Sequence, residues 1–265
     1  MSVILRGAVK LYYYLNDEIR DTRTQDWFLI RSPWPGLALL TLYLLMVLRW
    51  LPDYMKNRPA YDLRSIMAVY NASQMIGCIY IAYKGLSLGW LNHYSLLCQG
   101  LDNGPNALEY AWTVCYGYFV MKLIDLLDTI FFVLRKKHNQ VTFLHVYHHW
   151  GMVAVSWGIV KWVPGGHVTS LIILNSIVHF VMYGYYLMTS LDGTNRQALR
   201  RWKKHITQIQ IFQFAMLFVH HFAMLLKREC AFPSPPAYIL LPQNFFMLLL
   251  FSDFYYRSYF KSKKQ

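Results

Sequence analysis

The sequence predicts an all-α membrane protein built as a bundle of seven transmembrane helices. Three observations lead there. Of the 265 residues 56% are hydrophobic and only 15% charged, whereas a soluble domain needs about a quarter charged residues to face water. Stretches of spanning length, roughly 20 residues with few or no charges, recur along the chain. The polar residues inside those stretches recur at steps of three and four, the spacing of one helix face. Disorder and coiled coil are excluded by the 17% aromatic content and the absence of a sustained heptad.

The spans follow in order. Segments free of Asp, Glu, Lys and Arg run over Ser32–Leu48, Ser65–Tyr83, His138–Val160, Trp162–Leu191, His205–Leu226 and Cys230–Ser252. A further span, near Ala111–Leu134, is apolar except for Lys122, Asp125 and Asp128. The uncharged stretch Gly85–Leu101 holds Gly85, Gly89, Asn92, His93, Ser95, Gln99 and Gly100, and reads as a loop lying on the bilayer. Residues 1–33 form an N-terminal segment broken up by charge, so the first apolar run is expected to serve as signal and anchor together. Residues 34–256 form the membrane domain, and 257–265 a basic tail.

There are 26 Lys and Arg against 13 Asp and Glu, and they are unevenly placed. Nine fall with the N-terminus and the second, fourth and sixth loops, sixteen on the other side, and Lys122 lies within a span. The positive-inside rule therefore puts the N-terminus outside and the C-terminus in the cytosol. Nucleic-acid binding does not fit bases that sit between apolar runs. Cys78 and Cys115 fall inside spans as small buried thiols, while Cys98 and Cys230 share non-cytosolic loops, where a disulfide can persist. The tail Lys261-Ser262-Lys263-Lys264-Gln265 has the K-x-K-x-x form of a retrieval signal of the endoplasmic reticulum.

An ionisable residue at bilayer depth costs roughly 2.5–3.5 kcal/mol on insertion scales, so each is a functional candidate. The third span places Lys122, Asp125 and Thr129 on one stripe with Asp128 at its edge. The fourth places His145, His148 and His149 on one face. The fifth carries Asn175, His179, Tyr183 and Tyr186, and the sixth Thr207, Gln210 and Gln213. Four helices with one polar face each imply a shared wet interior. A lone intramembrane Gln or Thr is more often interhelical glue, and His220 and His221 read as packing residues. His93, His138, His167 and His205, in loops or at span edges, receive no role. Three histidines on one face are costly to bury idly. Two chemistries can use them: a metal held by an i, i+4 pair, or a neutral imidazole that attacks a thioester or moves a proton. Membrane di-iron desaturases need about eight histidines in several boxes, against one box plus His179 here. A seven-helix receptor has no use for the cluster.

The signatures KLIDLLDT (122–129), HVYHH (145–149), HFVMYGYY (179–186) and TQIQIFQ (207–213) resemble those of the ELOVL-type very-long-chain fatty acid elongases. They stand in that family's order, and similarity runs from about Trp27 to Arg257, including SPWP (32–35). Asp125 departs from the pattern, which usually has Glu there. The resemblance implies a barrel-like bundle around an acyl tunnel in the endoplasmic reticulum membrane, with a lumenal disulfide between Cys98 and Cys230. It implies condensation of a long-chain acyl-CoA with malonyl-CoA to 3-oxoacyl-CoA, CO2 and CoA, without a bound metal or cofactor. It also implies roles: His148 as nucleophile facing His179, His145, His149 and Asn175 orienting groups or stabilising the oxyanion, and Asp128 setting an imidazole tautomer. For the CoA moieties it suggests Lys122, Arg135, Lys137, Gln140, Lys203, Thr207 and Gln210. Partners on this reading are both CoA thioesters and the lipid bilayer, and it leaves room for a homo-oligomer and other enzymes of the elongation cycle. Gln140 and Tyr147 lean toward the very-long-chain and polyunsaturated branches.

Overall fold

The computed structural model describes residues 3–191 and 196–261. Among them there are helices and turns and no strands. The helices are α1 (Val3–Tyr13), α2 (Pro33–Leu45), α3 (Leu51–Met55), α4 (Arg64–Gly85), α5 (Ala107–Tyr110), α6 (Gly117–Asp125), α7 (Leu127–Leu134), α8 (Phe143–Trp162), α9 (Thr169–Leu191), α10 (Arg196–Leu226) and α11 (Pro235–Tyr259). Single π-helical turns prolong four of them, at Tyr14–Glu18, Met46–Trp50, Leu86–Trp90 and Ala111–Tyr116.

Local chemistry sets several ends. Ser32 caps α2 by accepting from the Trp34 amide at 3.4 Å, and Pro33 occupies the first turn, where no N–H is needed. Thr142 caps α8 in the same way, accepting from the His145 amide at 3.2 Å. α11 opens on Pro235 and Pro236.

Five helices are long and apolar enough to cross a membrane: Pro33–Met55, Arg64–Trp90, Thr169–Leu191, Arg201–Leu226 and Pro235–Tyr259. The other two expected spans are present as helical segments, but their composition keeps them out of that group. α8 carries three histidines and Lys161, and α6–α7 carries Lys122, Asp125 and Asp128. The stretch read as a loop from Gly85 is corrected in its first part. The helix continues through Trp90, and irregular chain begins after it. Of the basic tail, Ser262 to Gln265 lie outside the described residues.

Packing closes a ring. α4 touches α9, α9 touches α10, α10 touches α11, α11 touches α8, α8 touches α6, and α6 returns to α4; the end of α2 and α3 pack outside on α7. One end of this ring is sealed. Cys98 and Cys230 form a disulfide with their Cα atoms 5.7 Å apart, joining the chain after Trp90 to the α10–α11 turn. Against it lies the α8–α9 connection, whose His167 amide donates to Gln99 O at 3.0 Å. Gly166, at φ +68°, sits where a Cβ would stand 2.6 Å from the Gly100 carbonyl oxygen, so only glycine fits. Inside the seal, the rings of His167 and His220 stack at 3.9 Å, and Trp90 and His221 pack on their edges.

The N-terminal segment clasps the same end. Thr24 Oγ1 donates to Val160 O at 2.7 Å, and Trp157 Nε1 to Leu29 O at 2.8 Å. Lys161, fully buried, donates to the carbonyls of Ile30 and Arg31 at 3.1 and 3.2 Å. This lysine caps backbone, a use the charge count along the sequence did not reveal.

Replacing Gly166 with Ala should lower the thermal midpoint of the detergent-solubilised protein, because the side chain must displace the Gly100 backbone rather than a flexible group. Cys98→Ser should do the same and remove the mobility shift between reduced and unreduced samples on a denaturing gel. An unchanged midpoint in both variants would mean that the seal contributes no stability.

Candidate active site

A polar network crosses the ring at the level of α6, α9 and α4. Lys122 Nζ donates to Asp125 Oδ2 at 2.7 Å and lies 3.4 Å from His179 Nδ1. Both members of the pair are buried. Gln74 on α4 donates its carboxamide N–H to Asp125 Oδ1 and, at 3.2 Å, to the Tyr70 hydroxyl. Tyr183 on α9 lies between the two carboxylates, its hydroxyl 2.9 Å from Asp125 Oδ1 and 2.8 Å from Asp128 Oδ2. A lysine ammonium donates and never accepts. With Lys122 as donor, His179 Nδ1 accepts and the imidazole proton sits on Nε2. The Lys122 ammonium also lies 4.8 Å from the centre of the Tyr118 ring, and Tyr118 donates to Asn175 Oδ1 at 2.7 Å.

The helix breaks in the middle of this network. Between α6 and α7 the Leu126 amide bonds back to Leu123 O at 3.3 Å, one residue short of its α-helical partner, and the Ile124 carbonyl lies 3.4 Å from the Tyr70 hydroxyl, its donor. The break keeps Asp125 and Asp128 both on the buried side, where a regular helix puts Asp128 at the edge of the stripe.

The three histidines of α8 share one face. The rings of His145 and His149 are 4.2 Å apart, and those of His148 and His149 5.8 Å. Thr129 Oγ1 lies 3.1 Å from His145 Nε2 and 2.7 Å from the Tyr43 hydroxyl, so α7 and α2 fix that ring. His148 points the other way, into the ring of helices. Its centroid is 6.4 Å from His179 on α9, with Phe214 of α10 and Phe251 of α11 edge-on at 6.2 and 6.1 Å. His148 Nδ1 is buried and meets no protein partner. Beyond Phe214 a mainly apolar crevice runs between α8, α9, α10 and α11, lined by Met152, Val155, Leu171, Leu217, Leu240 and Met247. Gln213, Gln243 and Asn244 add polar groups to its wall.

The residues named for CoA divide into two sets. Lys122 is consumed by the buried ion pair. Arg135, Lys137 and Gln140 follow α7 on a short connection, Lys137 and Gln140 exposed and Arg135 half-buried with its guanidinium 3.1 Å from Met67 Sδ. Lys203, Thr207 and Gln210 lie on one stripe of α10; Lys203 is exposed, and Gln210 reaches Met182 Sδ at 3.7 Å. Ile206 and Phe131 belong to one apolar cluster, so both sets stand at the same end of the ring. Of the named carboxylates, Asp125 is the one beside an imidazole, 3.7 Å from His179 Nδ1, while Asp128 meets Tyr183. Among the described residues no three His, Cys, Asp or Glu side chains converge to hold a metal ion.

Reasoning from the sequence missed Gln74, Tyr70, Tyr118 and Tyr43. Asn71, Gln74 and Cys78, at steps of three and four along the second span, were the available signal for α4.

A family model described as ELO: GNS1/SUR4 family matches residues 28–265. Very long chain fatty acid elongase 7 of Drosophila melanogaster is 39% identical over 250 residues, covering 93% of this chain and 75% of that protein. Very long chain fatty acid elongase 4 of Homo sapiens is 38% identical over 267 residues, covering 100% and 83%. Elongase 7 of Rattus norvegicus is 38% identical over 247 residues, covering 92% and 87%.

Removing one member of a buried ion pair typically costs about 3–5 kcal/mol, because the other charge is left unpaired. Lys122→Met should therefore lower the unfolding midpoint sharply. The double variant Lys122→Met with Asp125→Asn should recover most of the loss without recovering function. Equal midpoints for single and double variants, read by thermal unfolding in detergent, would contradict the buried pair.

Proposed function

The chain belongs to the GNS1/SUR4 family, and from that premise we propose that it condenses a long-chain acyl-CoA with malonyl-CoA to give 3-oxoacyl-CoA, CO2 and CoA. The observation that carries this reading is the meeting of His148 and His179 between a basic rim and an apolar crevice. A CoA thioester joins a polyanionic head to an apolar chain. The rim residues Arg135, Lys137 and Lys203 suit phosphates, and the lining of the crevice, closed here to about the width of one water molecule, matches the apolar character of the chain.

In this reading the mechanism is ping-pong. His148 attacks the acyl thioester, CoA leaves, and the acyl group is held on the imidazole. Malonyl-CoA then binds and loses CO2, and its enolate carbon attacks the acyl carbon. The free Nδ1 of His148 leaves the ring unconstrained by any protein acceptor. Asn175 and His149 would steady charge on the thioester oxygen. Decarboxylation itself generates the carbanion equivalent, so the reaction needs no resident metal.

The same reading counts α6–α7 and α8 as spans, giving seven, with the ring as the barrel-like bundle around an acyl tunnel. α8, at 20 residues, reaches about 30 Å at 1.5 Å per residue, the thickness of a hydrocarbon core. The disulfide end then faces an oxidising lumen and the basic rim the cytosol, in agreement with the charge count. The endoplasmic reticulum is the compartment that fits both. Gln140 and Tyr147 keep their lean toward very long and polyunsaturated chains, which fatty-acid profiles of an elongase-deficient yeast expressing this chain would read directly.

With acyl-CoA alone, the purified protein should release about one CoA per chain and carry an acyl adduct on the peptide 139–161. His148→Ala should abolish both. Absence of an adduct together with sequential steady-state kinetics would overturn the acyl-histidine step. Arg135→Ala should raise KM for malonyl-CoA several-fold with little change in protein level. A strong chelator should leave turnover unchanged, and stoichiometric bound Zn or Fe lost together with activity would overturn the metal-free reading.

A further inference from the structure

We infer that Asp128, Tyr183, Asp125 and Lys122 form a proton relay ending on His179, with Asp128 as its acid. The inference rests on the condensation reading above and starts from a count of hydrogens. The Tyr183 hydroxyl has one proton, yet its oxygen makes two short contacts, 2.9 Å to Asp125 and 2.8 Å to Asp128. One contact is its own O–H donation. The other needs a proton that only a carboxyl group can supply.

The neighbours decide which carboxyl carries it. Asp125 holds the Lys122 ammonium at 2.7 Å and accepts from the Gln74 carboxamide, and both partners favour an anion. Asp128 is buried and, among the described residues, joins no ion pair. A buried unpaired carboxylate is costly, and a carboxylic acid is not. The groups facing Asp128 are Tyr43 from α2, Tyr70 from α4, Lys122 and Asp125 from α6, and Tyr183 and Tyr186 from α9. Only Lys122 is a cation, and Asp125 already holds it. The order is therefore Asp128 O–H to Tyr183, Tyr183 O–H to Asp125, and Lys122 N–H to both Asp125 and His179 Nδ1.

The reaction has a use for this order. In its first half the His148 N–H proton ends on the departing CoA thiolate, so no proton is consumed. In its second half CO2 leaves malonyl-CoA, and the carbon–carbon bond forms. The bond from acyl carbon to His148 nitrogen breaks, and the nitrogen keeps the electron pair. That nitrogen needs one proton. His179 gives up its Nε2 proton and receives one at Nδ1 from Lys122. Tyr183 passes a proton to Asp125 Oδ1, the carboxyl group rotates to hand it to Lys122, and Asp128 refills Tyr183 and then takes a proton from water. Before the next turnover His179 releases its Nδ1 proton to water and takes one at Nε2, so the net uptake is one proton and every group returns to its starting form. Tyr183 and Asp128 touch no reacting atom; they supply His179.

Asp128→Asn keeps a donor toward Tyr183 but cannot release a proton, and Tyr183→Phe removes one hydroxyl from the chain. Both should keep the wild-type first burst of one CoA per chain from acyl-CoA. Steady-state formation of 3-oxoacyl-CoA should fall about 100-fold or more, the scale of a lost proton-transfer group. Both should also lose the solvent deuterium isotope effect on turnover that the wild type shows. Wild-type turnover and isotope effect in either variant would overturn the relay, as would equal losses of burst and turnover, which mark a packing defect. If neither variant folds, the wild type decides: a multi-proton isotope dependence of the second half-reaction supports the relay, and its absence rejects it. A wild type that makes no 3-oxoacyl-CoA and CO2 refutes the condensation reading instead.

Discussion

A charge taken out of water must be met by protein, and the rest of this structure is arranged around one such meeting. The Lys122–Asp125 pair is buried on a single helix, so its remaining hydrogen-bonding capacity has to come from neighbours. Gln74 supplies it from α4, and Tyr183 and His179 supply it from α9. In hydrocarbon there is no water to substitute for any of them. That requirement ties the three helices in register and fixes the height at which His179 can face His148. Packing of apolar side chains alone would tolerate sliding; hydrogen bonds of fixed length do not.

The histidine layer and the ion-pair layer are joined at two places. Thr129 links α7 to His145, and the gap between His148 and His179 links α8 to α9. His145 is therefore tethered by a hydroxyl, while His148 is walled by aromatic edges and left with a bare nitrogen. The two rings stand one turn apart on the same helix, yet their surroundings suit opposite tasks. One holds position, and on the proposed mechanism the other forms the bond to the acyl group.

Much of this was legible in the sequence because it is local. Steps of three and four put His145, His148 and His149 on one face, and the low charge content required a membrane. The cysteine pair followed from topology and family resemblance together. What the sequence concealed depends on contacts far apart in the chain. Lys161 looked like one of nine bases on its side and turned out to cap carbonyls some 130 residues away. The stacked rings of His167 and His220 meet only because the α8–α9 connection folds over α10. The break at Leu126 has no proline or glycine to announce it; Tyr70, arriving from α4, satisfies the carbonyl it exposes.

The seal made by Gly166, the disulfide and the stacked histidines bears on traffic through the molecule. A pore open at both ends lets a long chain thread through and leave ahead of the next. Here one end is stoppered by tightly fitted backbone, so on the proposed condensation a tunnel behind His148 would be a blind alley along its axis. An apolar chain held there would have to back out the way it came or slip sideways between helices into lipid. Each added pair of carbons would then be felt at the bottom of the pocket first.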